Sequence, residues 1–229
     1  MIETLVHFIR ENNIYPNTIL DIGSRDLIQS IEFRNLFPYS RIIAFEPNPD
    51  QFEICDYHSK IARIEFYPIA ISKTDCEVDF YAVDKNCKAP NIGASSLLSF
   101  SEDLHKQCIE RYGERQVWAN KIKVKSRNLD NILKEISASE AEVIWMDTQG
   151  SELEIIKSSP NTFSKTKIIH IESEFRTIYQ DQPLYPEVKA YLESIGFKEI
   201  YNRQPYKPEY KNFDDFNYPS DTDSIFVKI

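Results

Sequence analysis

The stretch TILDIGSRDLIQSIEFRNLFPYSRIIAFEPNP, Thr18 to Pro49, decides the fold. It opens on an apolar run that stops at Asp21 and Gly23, and closes on a second that stops at Glu46. Between them Ile28, Ile31 and Leu36 recur at helical spacing and end before Pro38. Apolar runs that end on an acid read as buried parallel strands whose carboxyl ends open to solvent, where open α/β sheets bind ligands. Strand, helix and strand in succession imply a right-handed crossover and a parallel sheet.

The alternation continues on both sides. Leu5, Val6, Phe8 and Ile9 mark an N-terminal helix within residues 1–17. A helix through Phe52 and Ile54 leads to RIEFYPIAIS, Arg63 to Ser72, read as a third strand ending on Ala70 and Ile71. EVDFYAV (Glu77 to Val83) alternates as an additional strand, and NIGASSLLSF (Asn91 to Phe100) reads as a loop. KIKVKS (Lys121 to Ser126) is a strand, followed by a helix through Leu129, Ile132 and Leu133. Then come VIWMD (Val143 to Asp147), a helix from Gly150 to Lys157, and the strand KIIHIESEF (Lys167 to Phe175). A helix through Val188 and Leu192 stops at Gly196, a C-cap signal. FKEIY and SIFVKI close the chain as two strands, and the connection 202–223 between them reads as an inserted substrate loop rich in Tyr, Phe, Pro and Asp. With no repeat or linker, residues 1–229 are expected to form a single domain.

Composition excludes several classes. Hydrophobic residues at 41% and charged residues at 28%, with five glycines and 12 prolines, are ordinary for a globular protein and fit neither collagen nor a disordered chain. A net charge of −9 argues against a nucleic-acid partner, because neutralising phosphates needs a basic surface. Cys55, Cys76, Cys87 and Cys108 form no CxxC pair and no zinc spacing, which suits reduced thiols in a cytoplasmic protein. No apolar run approaches the roughly 18 residues of a membrane span, and the N-terminus lacks a signal-peptide core.

Gly23 and Glu46 are 23 residues apart, near the roughly 20 that separate a nucleotide-binding turn from a ribose-binding acid. Nicotinamide enzymes carry GxGxxG in that turn so that a pyrophosphate can reach the helix N-terminus. Here the turn has one glycine, preceded by Asp21. An acid there repels a pyrophosphate and attracts a cationic amino group, which favours S-adenosylmethionine over NAD. A nicotinamide oxidoreductase and a non-catalytic binding module of the same fold are the alternatives. Asp147 either faces the ligand or caps the helix that follows it.

The series ILDIGSRD, AFEPNP, PIAIS, GASSL, VKSRNLDNIL, IWMDTQGSELEII, IIHIESEF and SIFVKI resembles the FkbM-type methyltransferase family from about Thr18 to Ile229. The resemblance implies a class I methyltransferase (Rossmann-like) α/β three-layer sandwich, with a seven-stranded, mostly parallel sheet and an antiparallel last strand. It implies an S-adenosylmethionine-dependent O-methyltransferase acting on sugars or related metabolites. Asp21, Gly23 and Ser24 would lie by the methionine part of the cofactor, Glu46 on the ribose, Pro47 and Asn48 at the adenine edge, and Ala70 and Ile71 near the adenine. Two departures stand out. Arg25 and Asp26 replace a second small residue in the first turn, so that Arg25 either pairs with the cofactor carboxylate or lies at the surface. Gln149 stands where the family often has an acid.

Methyl transfer to a hydroxyl needs in-line placement and removal of a proton. His170, Glu172 and Glu174 alternate along one strand and therefore share a side. The expected catalytic set is Asp147 near the transferring methyl with His170 or Glu172 as general base. A divalent metal on Asp147 and Glu172 is possible but not favoured. Ser95, Ser96, Glu174, Tyr206 and Tyr210 are the expected contacts to a small-molecule or glycan acceptor, and the amphipathic first helix can pack on its own domain or on a partner, which leaves an oligomer open.

Overall fold

The structure is a computed structural model that describes residues 1–87, 90–113, 118–138, 140–207 and 220–229. Helix α1 (Ile2–Glu11) precedes β1 (Thr18–Ile22), α2 (Ile28–Leu36), β2 (Arg41–Phe45), α3 (Phe52–Ala62) and β3 (Glu65–Tyr67). There follow β4 (Ala70–Ile71), β5 (Glu77–Val83), α4 (Glu102–Tyr112), β6 (Ala119–Arg127), α5 (Leu129–Glu135) and β7 (Val143–Met146). The chain closes with α6 (Glu152–Ser158), α7 (Pro160–Lys165), β8 (Ile168–Glu174), α8 (Tyr185–Ser194), β9 (Phe197–Asn202) and β10 (Asp221–Lys228).

Seven strands form one sheet in the order β3-β2-β1-β7-β8-β10-β9. The pairs among β3, β2, β1, β7 and β8 are parallel, and β10 runs antiparallel to both β8 and β9. This is the expected class I methyltransferase sheet. Because successive strand residues face opposite sides, β1 divides its apolar residues between two cores. Leu20 and Ile22 join α5, α6, α7 and α8 through Leu133, Ile156, Phe163 and Leu192. Ile19 joins α1, α2 and α3 through Leu5, Phe33 and Cys55. Both faces are therefore covered, which explains why the strands read as continuous apolar runs.

Three sequence expectations change. RIEFYPIAIS is not one strand: β3 ends at Tyr67, and Ala70 and Ile71 leave the main sheet to pair with β6 in a second sheet of order β4-β6-β5. Pro68 lacks the N–H to continue a ladder, and the Ile69 N–H turns back to the Tyr67 carbonyl at 2.9 Å. In α2 the buried side chains are Ser30 and Phe33, whereas Ile28 and Leu36 lie on the exposed side. Helices α4 and α7 interrupt segments in which no helix was expected. Ser101 caps the first by accepting the Leu104 N–H, and the Asp130 carboxylate accepts from the Asn161 and Thr162 N–H groups at the start of the second. Among the described residues no helix is long and apolar enough to cross a membrane.

Candidate active site

The carboxyl ends of β1, β2 and β7 open onto a cleft walled by Gly23, Phe45, Glu46, Ile71, Trp145 and Asp147. The ends of β1 and β7 are locked together: the Asp147 N–H donates to the Ile22 carbonyl at 2.9 Å. Gly23 has φ of +85°, and a Cβ there would lie 1.8 Å from the Asp147 carbonyl oxygen. The glycine is thus set by the approach of β7 as much as by the turn.

Glu46 ends β2 and lines this cleft. Its Oε1 accepts the Asn48 N–H at 2.7 Å and its Oε2 accepts the Arg25 N–H at 2.9 Å. Burial pushes its pKa up to about 7, against the lowering effect of those two bonds. Pro47, Asn48, Ala70, Ile71, Gly23 and Arg25 line the same cleft. Asp21 and Ser24 do not. Ser24 is buried and its Oγ donates to the Phe45 carbonyl. Asp21 is fully buried beneath the turn, with Oδ2 accepting from Ser30 Oγ at 2.6 Å and Oδ1 unpartnered. Desolvation pushes its pKa up to about 7.

A second cleft adjoins the first, and Arg25, Gly93, Asp147 and Gln149 line both. Its remaining wall includes Glu172, Glu174, Tyr179 and Asp221. Asp147 is no helix cap. Ser151 is the N-cap of α6, with no side-chain cap bond, and the turn before it is held by Glu152, whose Oε1 accepts from the Thr148 N–H and Oγ at 2.8 Å each and whose Oε2 accepts from the Gly150 N–H at 3.0 Å. The Asp147 carboxylate instead accepts from Gln149 Nε2 at 2.6 Å, and the same nitrogen donates to Glu172 Oε2 at 2.9 Å. Through that one nitrogen the two carboxyl groups are held side by side. Burial and the neighbouring Asp147 charge push the Glu172 pKa up to about 11. Burial and the Glu152 charge also raise Glu174 well above the carboxylate range.

His170 is brought elsewhere. It shares a side with Glu172 and Glu174 but sits deeper along β8, lining neither cleft. Its ring stacks on Trp145 at 3.6 Å between centroids and 17° between planes, and its Nε2 lies 3.0 Å from Asp223 Oδ1. Burial alone would raise the Asp223 pKa, but His170 and Arg203 bring it below the usual range. The structure does not bring His170, expected as a general base, to either cleft: it is 1% exposed.

Of the loop serines, Ser95 lines the first cleft and Ser96 is buried. Ser96 Oγ donates to the Gln149 carbonyl at 2.7 Å, and Ser95 Oγ donates to the Ile92 carbonyl and accepts the Val83 N–H. Tyr206 packs on Phe175 and Tyr185 and lines a separate groove with Lys189 and Glu199. Tyr210 lies outside the described residues. Sequence reasoning missed Trp145 as a wall of the first cleft, although its position two before Asp147 places it on the same side. It also missed Tyr179, whose hydroxyl donates to Gln149 Oε1 at 2.6 Å. Among the described residues no group of three or more His, Cys, Asp or Glu side chains is arranged to hold a metal ion.

The sheet order, the acid ending β2 and the cleft over the ends of β1 and β7 define a class I methyltransferase. The chain belongs to the FkbM methyltransferase family: a sequence model of the methyltransferase FkbM domain matches residues 21–199. It is similar to the 2-O-methyltransferase NoeI of Sinorhizobium fredii (strain NBRC 101917 / NGR234), 29% identical over 171 residues that make up 73% of this chain. The match spans 65% of that relative's length. Among solved structures it is similar to a precorrin-6y C5,15-methyltransferase from Geobacter metallireducens, with 17% identity, 92% and 78% of the two chains covered and a TM-score of 0.44. It is also similar to an rRNA methylase from Streptococcus thermophilus, with 11% identity, 94% and 88% covered and a TM-score of 0.45.

Proposed function

We propose that the protein is an S-adenosylmethionine-dependent O-methyltransferase whose acceptor is a hydroxyl of a neutral sugar, glycan or related polyol. The observation that carries this reading is the meeting of the two clefts at Asp147 and Gln149. The first cleft fits the cofactor by its donor and acceptor set. It offers a carboxylate at the end of β2 for ribose hydroxyls and apolar walls from Ile71, Phe80 and Trp145 for a purine, with Arg25 the one cation among the described residues that line it. A turn with one glycine and a buried acid beneath it suits a ligand without a pyrophosphate. When bound, S-adenosylmethionine supplies a methyl group already activated for transfer.

The chain's own part is to hold the acceptor oxygen in line and to take its proton. Asp147 stands at the junction and Glu172 beside it, so the proton acceptor is sought in that pair. Glu174, Asp221 and Tyr179 extend the second cleft as hydrogen-bonding groups. Among the described residues its lining carries four carboxyl groups and one arginine; with Glu172 and Glu174 raised towards the neutral form, Asp147 and Asp221 still outweigh Arg25, which disfavours an anionic acceptor. NoeI, a 2-O-methyltransferase by name, is in keeping with oxygen as the atom methylated.

Calorimetric titration with S-adenosylhomocysteine tests the reading, with NAD as control. Micromolar binding of the homocysteine product together with methylation of members of a neutral sugar panel is expected. Binding of NAD in its place would refute the reading, and so would methylation confined to anionic phenols.

A further inference from the structure

Gln149 is the one member of the junction whose chemistry the proposed function leaves unused. Its backbone is left-handed, with φ of +57°, a conformation a non-glycine residue holds only when its surroundings enforce it. Three contacts do so. Ser96 Oγ donates to its carbonyl at 2.7 Å, the Tyr179 hydroxyl donates to its Oε1 at 2.6 Å, and its Nε2 donates to both Asp147 and Glu172. With its oxygen fixed by Tyr179, the amide is oriented so that both N–H donors meet carboxyl oxygens. An acid at this position would present oxygen to oxygen.

We propose that Gln149 clamps Asp147 and Glu172 into one two-carboxyl unit holding a single proton and a single negative charge, and that this unit takes the acceptor's proton. The inference rests on the methyltransferase reading for its catalytic half only; the clamp itself stands on the geometry. As the acceptor oxygen forms its bond to the methyl carbon, the methyl–sulfur bonding pair stays on sulfur. The hydroxyl proton passes to the unit, which goes from one proton to two and from one negative charge to none. Gln149 is a positioning residue in this scheme, acting through the acids it holds.

Other charges face the unit from every neighbouring element. Asp21 approaches from β1 and Glu46 from β2. Glu152 lies at the start of α6, and Glu174 and His170 lie on β8. Asp221 and Asp223 face it from β10, and Arg25 and Tyr179 complete the wall. Most are acids, so the second proton of an unclamped pair would be held too tightly for a base; the amide's two bonds favour the anion.

The test uses carbon-detected NMR of the carboxyl carbons of the full chain, assigned with Glu172→Gln and Asp147→Asn. Two coupled and widely separated steps are expected for the pair, collapsing to a single Asp147 step in Glu172→Gln. Independent titration of both carboxyls near pH 4, as for ordinary acids, would overturn the proposal. In Gln149→Met the lower step should move up by about one to two pH units, the worth of lost bonds to a charged group. Tyr179→Phe should move it in the same direction by less. An unmoved step in both variants would reduce Gln149 to packing and overturn the clamp. Because none of these readouts needs cofactor or acceptor, the clamp and the methyltransferase reading fail separately. If turnover is found, the acid limb of kcat must shift with the NMR step in Gln149→Met, and a uniform loss of kcat with no shift counts against the unit as base.

Discussion

Replacing Gly23 by alanine asks whether the turn glycine is there for its backbone freedom or for the approach of β7. The new Cβ would sit 1.8 Å from the Asp147 carbonyl oxygen and 2.7 Å from its carbon, where real contacts stay above 3.0 Å. The end of β7 would have to withdraw by more than 1 Å, the shortfall between those distances, and the Asp147 N–H bond to Ile22 would be lost. The left-handed φ costs about 1–2 kcal/mol, the bond about 1 kcal/mol and the overpacking about 1–3 kcal/mol. A total of roughly 3–6 kcal/mol is a large share of an ordinary domain stability of about 5–15 kcal/mol. At about 2–4 °C per kcal/mol for a chain of this size, thermal unfolding should shift down by on the order of 10 °C. Circular dichroism melts measure this, with titration of S-adenosylhomocysteine alongside, since the displaced backbone lines the first cleft. Gly23→Asn separates the two causes, because asparagine tolerates left-handed φ but carries the same Cβ. The reasoning is refuted if Gly23→Ala melts within about 2 °C of the parent with unchanged affinity. If Gly23→Asn melts like the parent, backbone strain and not close approach is the cause.

Glu46→Gln turns an amide donor toward a backbone N–H of Arg25 or Asn48, so affinity for S-adenosylhomocysteine should fall by about tenfold or more; an unchanged Kd by calorimetry would remove Glu46 from the ribose role. Asp21 has a folded-state pKa near 7 against an ordinary 3.8, so its contribution is fully present below about pH 4 and is lost as pH rises toward 7. Asp21→Asn, which stays neutral, should therefore gain on the parent by up to about 4 kcal/mol between pH 4 and pH 8. Urea unfolding across that range tests this, and a pH-independent difference would contradict the buried-acid account. His170→Phe keeps a ring against Trp145 but leaves Asp223 without its imidazole partner, so stability should fall by about 1–3 kcal/mol. The pH dependence of methyl transfer should stay as in the parent, and loss of its acid limb would return the base to His170.

The frame of the site was legible because burial and chemistry coincide at strand ends. β1, β2 and β7 each read as apolar residues closed by an acid, and their parallel pairing brings Asp21, Glu46 and Asp147 to one edge of the sheet. What each acid does there was not legible. Asp21 faces inward to Ser30, Glu46 faces the cleft, and Glu152, equally acidic and equally close to the turn, spends its oxygens on Thr148 and Gly150. Alternation put His170 on the same side as Glu172 but could not give depth, and two residues along β8 separate a core imidazole stacked on Trp145 from a carboxyl in the cleft. Gln149 was hidden for a different reason. In one dimension it is an amide where an acid is common, and so reads as a loss. Its partner Glu172 stands 23 residues away, and only the parallel pairing of β7 with β8 brings the two together. In the proposed scheme, an uncharged donor between two neighbouring carboxyls fixes their orientation and lets one proton serve both, where a third acid would present oxygen to oxygen.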